Sequence, residues 1–213
     1  MNEQFESHLN EEQRQLWRSL ETPYQIQAFL DTCAYRPEYN NLSPLRVIEQ
    51  RRAHCLDGAV FGAAALRRLG HPPLLVDMFP DPGMDDDHVL AIYRQNGRWG
   101  AVAKSNFVGL RAREPVYRDL HELVMSYFEQ FYNLNGVKSL RTYTRPLNLV
   151  RFDRFEWKWR DDGIDRIEQA LLQRARRPLL TPAMLAALSP VDALTYQAGM
   201  LAANLDGVYK PKG

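Results

Sequence analysis

The sequence predicts an α+β fold, in which helices lie towards both ends of the chain and an antiparallel sheet lies between them. Apolar residues recur with helical spacing near the two ends, whereas apolar and polar residues alternate with period two in the middle. An Asn96-Gly97 pair interrupts the alternating region, and this dipeptide is the strongest short signal for a β-hairpin. The strands of the predicted sheet are therefore expected to be antiparallel.

Length and composition restrict the classes of protein to consider. The chain has 213 residues, 45% hydrophobic and 25% charged, which is typical of one globular domain. A net charge of +1 gives no global attraction to nucleic acid or to an anionic membrane. The first twenty residues contain no apolar leader, and no later stretch is apolar enough for a membrane span. We therefore expect a cytoplasmic protein whose two cysteines, Cys33 and Cys55, are reduced.

Four helix starts are marked by a serine or threonine followed by proline, a combination that caps a helix and fits its first turn. These pairs are Thr22-Pro23, Ser43-Pro44, Thr181-Pro182 and Ser189-Pro190. The first opens a helix in which Cys33 shares a face with apolar residues, so Cys33 is predicted to be a core residue. Ser189 with Asp192 resembles a capping box.

The central elements follow from the change of period. Strands are predicted at residues 74–79, over residues 88–106 as two strands of a hairpin, and at residues 138–144. A long helix from about Asp119 to Leu134 separates the hairpin from the last strand, and another begins at Asp161. We expect residues 1–180 to form one domain that includes the N-terminal helices, with residues 181–213 as a helical extension docked on it.

Cys55 is the first candidate for chemistry, because it begins a predicted helix. A helix N-terminus favours negative charge and so favours the thiolate, which is the reactive form of cysteine. One face of this helix carries only small residues, namely Gly58, Ala59, Gly62 and Ala63. Such a bare face lets a strand pair approach the helix closely.

His88 begins the first strand of the hairpin and is the candidate base, because an imidazole can take a thiol proton near neutral pH. If Asn96-Gly97 is the turn, the register places His88 opposite Ser105. Ser105 or the next residue, Asn106, is then expected to orient the imidazole ring.

These features together resemble the transglutaminase-like branch of the papain-type cysteine fold: a cysteine-led helix ending in "LRRLGHPP", a following histidine and an "NGRW" hairpin. The resemblance implies a Cys-His-Asp triad that acts on an amide through a thioester, with Cys55 as nucleophile and His88 as base. The sequence departs from the family pattern W-x-x-x-D, because the fourth residue after Trp99 is Ala103 and not an aspartate. Ser105, or as second choice Asn106, would take the orienting role of that aspartate. The Cys55 N–H would be one of the two hydrogen-bond donors of an oxyanion hole.

The resulting prediction is a thiol-dependent amide hydrolase or acyl transferase that needs no metal or organic cofactor. Its substrate would be a peptide, a protein or a small-molecule amide, with no nucleic acid or membrane partner. The alternative is a catalytically inactive scaffold of the same fold that binds a peptide or protein partner. Two weaker hypotheses are a metal site in the run Asp85 to His88 and nucleic-acid binding by the basic, aromatic residues 141–160.

Overall fold

The computed structural model describes residues 2–211, with side chains from residue 4 onward. The ends of the two predicted domain ranges, at residues 1 and 213, lie outside this part. The helices are α1 Asn2–Glu6, α2 Glu11–Ser19, α3 Pro23–Thr32, α4 Pro44–Gln50, α5 Cys55–Arg68, α6 Leu120–Met125, α7 Asp161–Leu172, α8 Pro182–Ala186 and α9 Ala193–Gly199. The strands are β1 Ala34–Tyr35, β2 Arg52–Ala53, β3 Leu74–Pro80, β4 His88–Gln95, β5 Arg98–Val102, β6 Arg113–Tyr117, β7 Leu140–Thr144, β8 Leu147–Asn148 and β9 Arg176–Pro178. Short 3₁₀ helices cover Val108–Leu110, Phe128–Gln130, Leu149–Phe155 and Leu205–Gly207.

One antiparallel sheet organises the structure, so the predicted α+β class is confirmed at this level. Its strand order is β6-β5-β4-β3-β7-β9, and β8 also pairs with β3. The β4–β5 hairpin turns at Asn96 and Gly97, which have φ values of 51° and 77°. Gln95 pairs with Arg98 across this turn, as the sequence register predicts. A separate parallel pair, β1 with β2, leads into α5.

Helix α5 lies against one face of the sheet, and its small residues decide how closely. A Cβ on Gly58 would lie 2.2 Å from Cβ of Lys104, and one on Gly62 would lie 2.7 Å from Cγ2 of Val102. The predicted close approach of helix and hairpin is therefore confirmed. Val89 and Ala91 of β4 join the α5 core. Leu90 and Ile92, which alternate with them, face the second core, which packs against α6 and its aromatic neighbours.

The predicted helix from about Asp119 to Leu134 is shorter than expected. It ends at Met125, and a 3₁₀ turn at Phe128–Gln130 follows. At the break, the Ser126 N–H still donates to Glu122, but the Ser126 hydroxyl donates to the Leu123 carbonyl and the Ser126 carbonyl accepts from Arg113. Tyr127 and Phe131 are nevertheless buried, so the aromatic stripe is core as predicted.

The C-terminal helices start partly as predicted. Thr181 caps α8 by accepting from the Met184 N–H. Ser189 does not open a helix, and the capping box expected for it is wrong. Asp192 caps α9 instead, because its carboxylate accepts from both the N–H and the hydroxyl of Thr195. The extension docks on the main body, where Tyr132 donates to the Thr195 carbonyl.

The basic and aromatic segment of residues 141–160 contributes to the core. Trp157 and Phe152 are buried, and the Trp157 N–H donates to the Asp153 carboxylate. Rings that are packed in this way do not offer faces for stacking nucleic-acid bases. None of the helices within residues 2–211 has the length and apolarity that a bilayer span requires.

Candidate functional site

The first turn of α5 is fixed by a reciprocal cap that places Cys55 at the end of the sheet. His54 Nδ1 accepts from the Asp57 N–H at 3.4 Å, and the Asp57 carboxylate accepts from the His54 N–H at 3.1 Å. Burial lowers the pKa of His54 to about 4, so its ring is neutral and can act as an acceptor. The cysteine is therefore held on a rigid helix start.

The surroundings of the Cys55 sulfur oppose ionisation. The sulfur lies 4.0 Å from the main-chain oxygen of Asp87. Burial raises the pKa of the thiol well above its ordinary value, and the carboxylates of Asp87 and Asp86 raise it further. Burial and the neighbouring carboxylates therefore raise the thiol pKa, although the position at a helix N-terminus predicted a lowered one. The resting group is a neutral thiol.

His88 is held by a group that the sequence did not reveal. Its Nε2 lies 2.7 Å from the carbonyl oxygen of Leu110, which ends the 3₁₀ turn at Val108–Leu110. Because a carbonyl can only accept, Nε2 carries the proton and Nδ1 has the free lone pair. Burial lowers the pKa of His88 to about 4, so the ring is neutral, which is the form a base needs.

Cys55 and His88 meet at a small cavity of about 40 Å³ at the end of the sheet. Within the described chain, His88 Nδ1 has no hydrogen-bond partner. The thiol and the imidazole therefore line the same cavity, and Nδ1 is the ring nitrogen left without a hydrogen bond among the described residues.

Ser105 and Asn106 line the same small cavity, but neither is hydrogen-bonded to His88 in the described residues. Ser105 accepts from the Phe107 N–H. Strand β5 ends at Val102, so the register that would pair Ser105 with His88 does not continue. The side chain of Gln27 bonds both main-chain groups of Ala103, the first residue after this strand. The expected orienting role of Ser105 and Asn106 is corrected to Leu110.

Asn106 instead fastens the C-terminal strap, which we define as residues 204–209. Its side-chain amide donates to the carbonyl of Asn204 at 2.8 Å and accepts from the N–H of the same residue at 2.8 Å. Asn204 also donates to the carbonyl of Tyr35. The strap thereby forms a wall of both cavities next to Cys55.

The larger of these cavities has a volume of about 150 Å³, and its lining includes Asp77 and Asp87, which the sequence argument did not assign to the catalytic site. Asp77 lies in β3 with 2% of its surface exposed, and Oδ1 has no partner among the described residues. Burial, together with the neighbouring Asp87, raises its pKa well above the ordinary value. Burial and Asp86 raise the pKa of Asp87 to about 6. A charged residue within the apolar run "LLVDMF" was the available signal for this site.

The side chains of the acidic run before β4 contact different neighbours. Asp85 accepts from the Ser139 hydroxyl, Asp87 lies beside Asp77, and His88 bonds Leu110. In the part of the chain that the structure describes, no three His, Cys, Asp or Glu side chains converge as a metal-binding group. The metal hypothesis for Asp85 to His88 therefore has no geometric support.

Comparison with known proteins does not assign a family to this chain. No protein-family model matches the sequence, and the search of curated proteins found no match either.

Proposed function

We propose that this protein is a thiol-dependent amide hydrolase or acyl transferase with a papain-like, transglutaminase-type core, in which Cys55 is the nucleophile and His88 the base. The observation that carries the proposal is the shared cavity, which Cys55 and His88 both line while Leu110 holds Nε2 of the histidine and leaves Nδ1 unprotonated. In this arrangement a main-chain carbonyl orients the imidazole, which is the role of the missing triad carboxylate. A neutral thiol and a neutral imidazole are also the resting forms that a general-base mechanism uses.

The proposed reaction begins when Nδ1 of His88 takes the thiol proton as the sulfur bonds to the substrate carbonyl carbon. The resulting oxyanion is stabilised by the Cys55 N–H at the start of α5. The imidazolium then gives its proton to the departing amine, and a thioester remains on Cys55. Water completes hydrolysis or an amine completes transfer, and neither route needs a metal or an organic cofactor.

The substrate in this proposal is a peptide, a protein or a small-molecule amide. Cys33 and Cys55 are both free thiols, which favours a reducing compartment, and we place the protein in the cytoplasm on this basis. Cys33 is not a competing nucleophile, because it is buried, its sulfur contacts the Phe29 carbonyl, and burial raises its pKa to about 11.

One observation favours the alternative, an inactive scaffold that binds a peptide or protein partner. The carboxylates of Asp86, Asp87 and Asp77 all act against ionisation of Cys55. A site that had lost its catalytic role would tolerate this arrangement, whereas an active site must overcome it during proton transfer. The two functions therefore differ in whether His88 can activate the thiol.

The test is active-site titration with p-nitrophenyl acetate, which transfers its acetyl group to a reactive thiol and releases p-nitrophenolate. We expect a burst close to one equivalent per protein, unchanged in the control Cys33→Ser and absent in Cys55→Ala. Loss of general-base catalysis in His88→Gln should slow the burst by roughly 10²-fold or more. A burst of equal rate in His88→Gln, or no burst from correctly folded protein, would support the scaffold instead.

A further inference from the structure

Asp77 and Asp87 form a carboxyl pair beside Cys55 that the proposed proton transfer does not use. Asp77 of β3 is paired with Val89 of β4, and Asp87 precedes Val89 by two residues. Side chains separated in this way point to the same face of a sheet. That face is the one covered by α5, since Val89 belongs to the core around that helix. The pair therefore lines the cavity over the thiol.

The Asp77 carboxyl has no donor from the described protein for its buried Oδ1. The neighbouring side chain is Asp87, and because the pKa of Asp77 is raised, the pair by itself shares a proton that leaves Oδ1 of Asp77 still without a donor. Arg176 acts on Asp77 through space, but its guanidinium lies 3.5 Å from the centre of the Phe79 ring and forms no hydrogen bond with Asp77. A buried carboxylate oxygen without a donor costs stability, so it needs an explanation.

The remaining charges of the cavity do not supply that donor. Its lining has six acidic side chains, at Glu38, Asp77, Asp86, Asp87, Glu168 and Asp206, against one arginine. That arginine, Arg36, is engaged by the carboxylates of Asp57 and Glu38. His54, which also lines the cavity, is neutral because burial lowers its pKa to about 4. The cavity is thus rich in acceptors and has a surplus of negative charge.

The size of the cavity limits the group that can enter. A volume of about 150 Å³ is similar to that of an engineered protein cavity that binds benzene, so a short alkyl chain with one polar head fits. Apolar surface for such a chain comes from Leu56, Leu171 and Leu172. The chemistry is that of a small group with an apolar stem and a hydrogen-bond donor that carries positive charge.

We propose that this cavity is a subsite for a positively charged nitrogen group of the substrate, which donates hydrogen bonds to Asp77 and Asp87 beside Cys55. This names a substrate class and so rests on the proposed function, although the binding itself does not need the thiol. The bound nitrogen is separate from the amide nitrogen that would leave during thioester formation. Asp77 is therefore a specificity residue, and the preferred substrates are cationic.

The probe for this subsite is n-butylammonium chloride, with 1-butanol as the neutral probe of similar size. Calorimetric titration of Cys55→Ser protein removes thiol chemistry from the measurement. We expect n-butylammonium to bind this protein, and to bind the double variant Cys55→Ser/Asp77→Asn roughly tenfold more weakly or worse, because a hydrogen bond to a charged group is lost. The affinity for 1-butanol should not depend on Asp77.

The matched control is Asp81→Asn in the same background, since Asp81 is exposed and paired with Arg141 outside the cavity. It should leave n-butylammonium binding unchanged, and Asp87→Asn is a second variant that should weaken it. Equal affinity in the parent and the Asp77→Asn protein, or no binding by folded parent, would overturn the subsite. Because the thiol is absent throughout, failure of the acetyl burst and failure of this binding are separate outcomes.

Discussion

Two buried aspartates, one in the helix of Cys55 and one in the sheet, differ completely in their hydrogen bonds. Asp57 of α5 is 0% exposed and accepts from the Leu42 N–H, the His54 N–H and Arg36, at 2.7, 3.1 and 3.1 Å. Asp77 of β3 is 2% exposed and has an Oδ1 without a donor from the described chain. The same residue type at the same depth is thus a structural element in one place and an unsatisfied group facing a cavity in the other.

The difference shows that burial alone does not distinguish a structural carboxyl group from a functional one. Burial raises the pKa of both carboxyls, that of Asp57 to about 6 and that of Asp77 well above its ordinary value. For Asp57, donors from three parts of the chain lower the pKa in partial compensation. For Asp77, the neighbouring carboxyl of Asp87 raises the pKa further. A buried carboxyl that neighbours oppose rather than support indicates a binding site.

The largest effect should come from removing the satisfied carboxylate. Asp57→Ala leaves Arg36, which is 4% exposed, without its buried partner and removes the carboxylate half of the reciprocal cap of α5. We expect the free energy of unfolding in urea to fall by about 3–5 kcal/mol. Asp57→Asn retains part of the hydrogen bonding and should lose less. A loss below that of an ordinary surface substitution would show that Asp57 does not organise this helix start.

The opposite sign is expected at Asp77. Asp77→Asn removes a buried ionisable group that lacks donors, and should raise the free energy of unfolding by roughly 1–3 kcal/mol at pH 7. The folded-state pKa is raised, so the folded protein holds a proton that the unfolded chain releases above pH 3.8. The wild type therefore loses stability as the pH rises from 3.8. The asparagine variant does not show this loss, because its side chain does not ionise.

Chemical denaturation at two pH values checks this prediction. The variant and the wild type should be equally stable at pH 3, and should differ at pH 7. Asp87, whose pKa is raised to about 6, also changes charge between these pH values, but it is present in both proteins, as is Arg176. Asp81→Asn, which changes an exposed aspartate, should show no such pH-dependent gain. A constant difference at both pH values would mean that ionisation of Asp77 is not the cause.

The smallest effect concerns access to the Asp77 side of the thiol. Asn106→Ala removes the two side-chain hydrogen bonds that fasten the C-terminal strap, each worth about 1 kcal/mol. Because the strap should then open more often, we expect alkylation of Cys55 by iodoacetamide to accelerate by roughly five- to thirtyfold. Ser105→Ala, which alters only a local turn, is the matched control and should change the rate little. Mass spectrometry should show Cys33 unmodified in all three proteins. Equal rates for Cys55 would mean that the strap does not restrict access.

Much of the fold could be predicted because its signals are local. A threonine cap with proline defines α3, Asn96-Gly97 defines the turn and register of β4 and β5, and the glycines of α5 predict its close packing on the hairpin. The error at Ser105 and Asn106 came from extending that register beyond Val102. No local signal marks this end of the pairing, and just beyond it Gln27, distant in sequence, bonds the main chain of Ala103.

Within the candidate site, Cys55 and His88 could be named from the sequence because each begins a regular element. The group that orients His88 could not be named, since a main-chain carbonyl such as that of Leu110 exists at every residue and leaves no side-chain signal. The carboxyl pair was missed for another reason. Asp77 and Asp87 belong to different strands, and their pairing depends on the β3–β4 register.

The sequence by itself therefore determined the α+β order, the helix that begins with Cys55 and the hairpin that follows His88, because capping, periodicity and turn chemistry act over a few residues. Tertiary structure alone decided which nitrogen of His88 is free, which end of the chain closes the cavity, and which of two buried aspartates lacks donors. Those properties arise from contacts between segments far apart in the chain, and no local pattern records them.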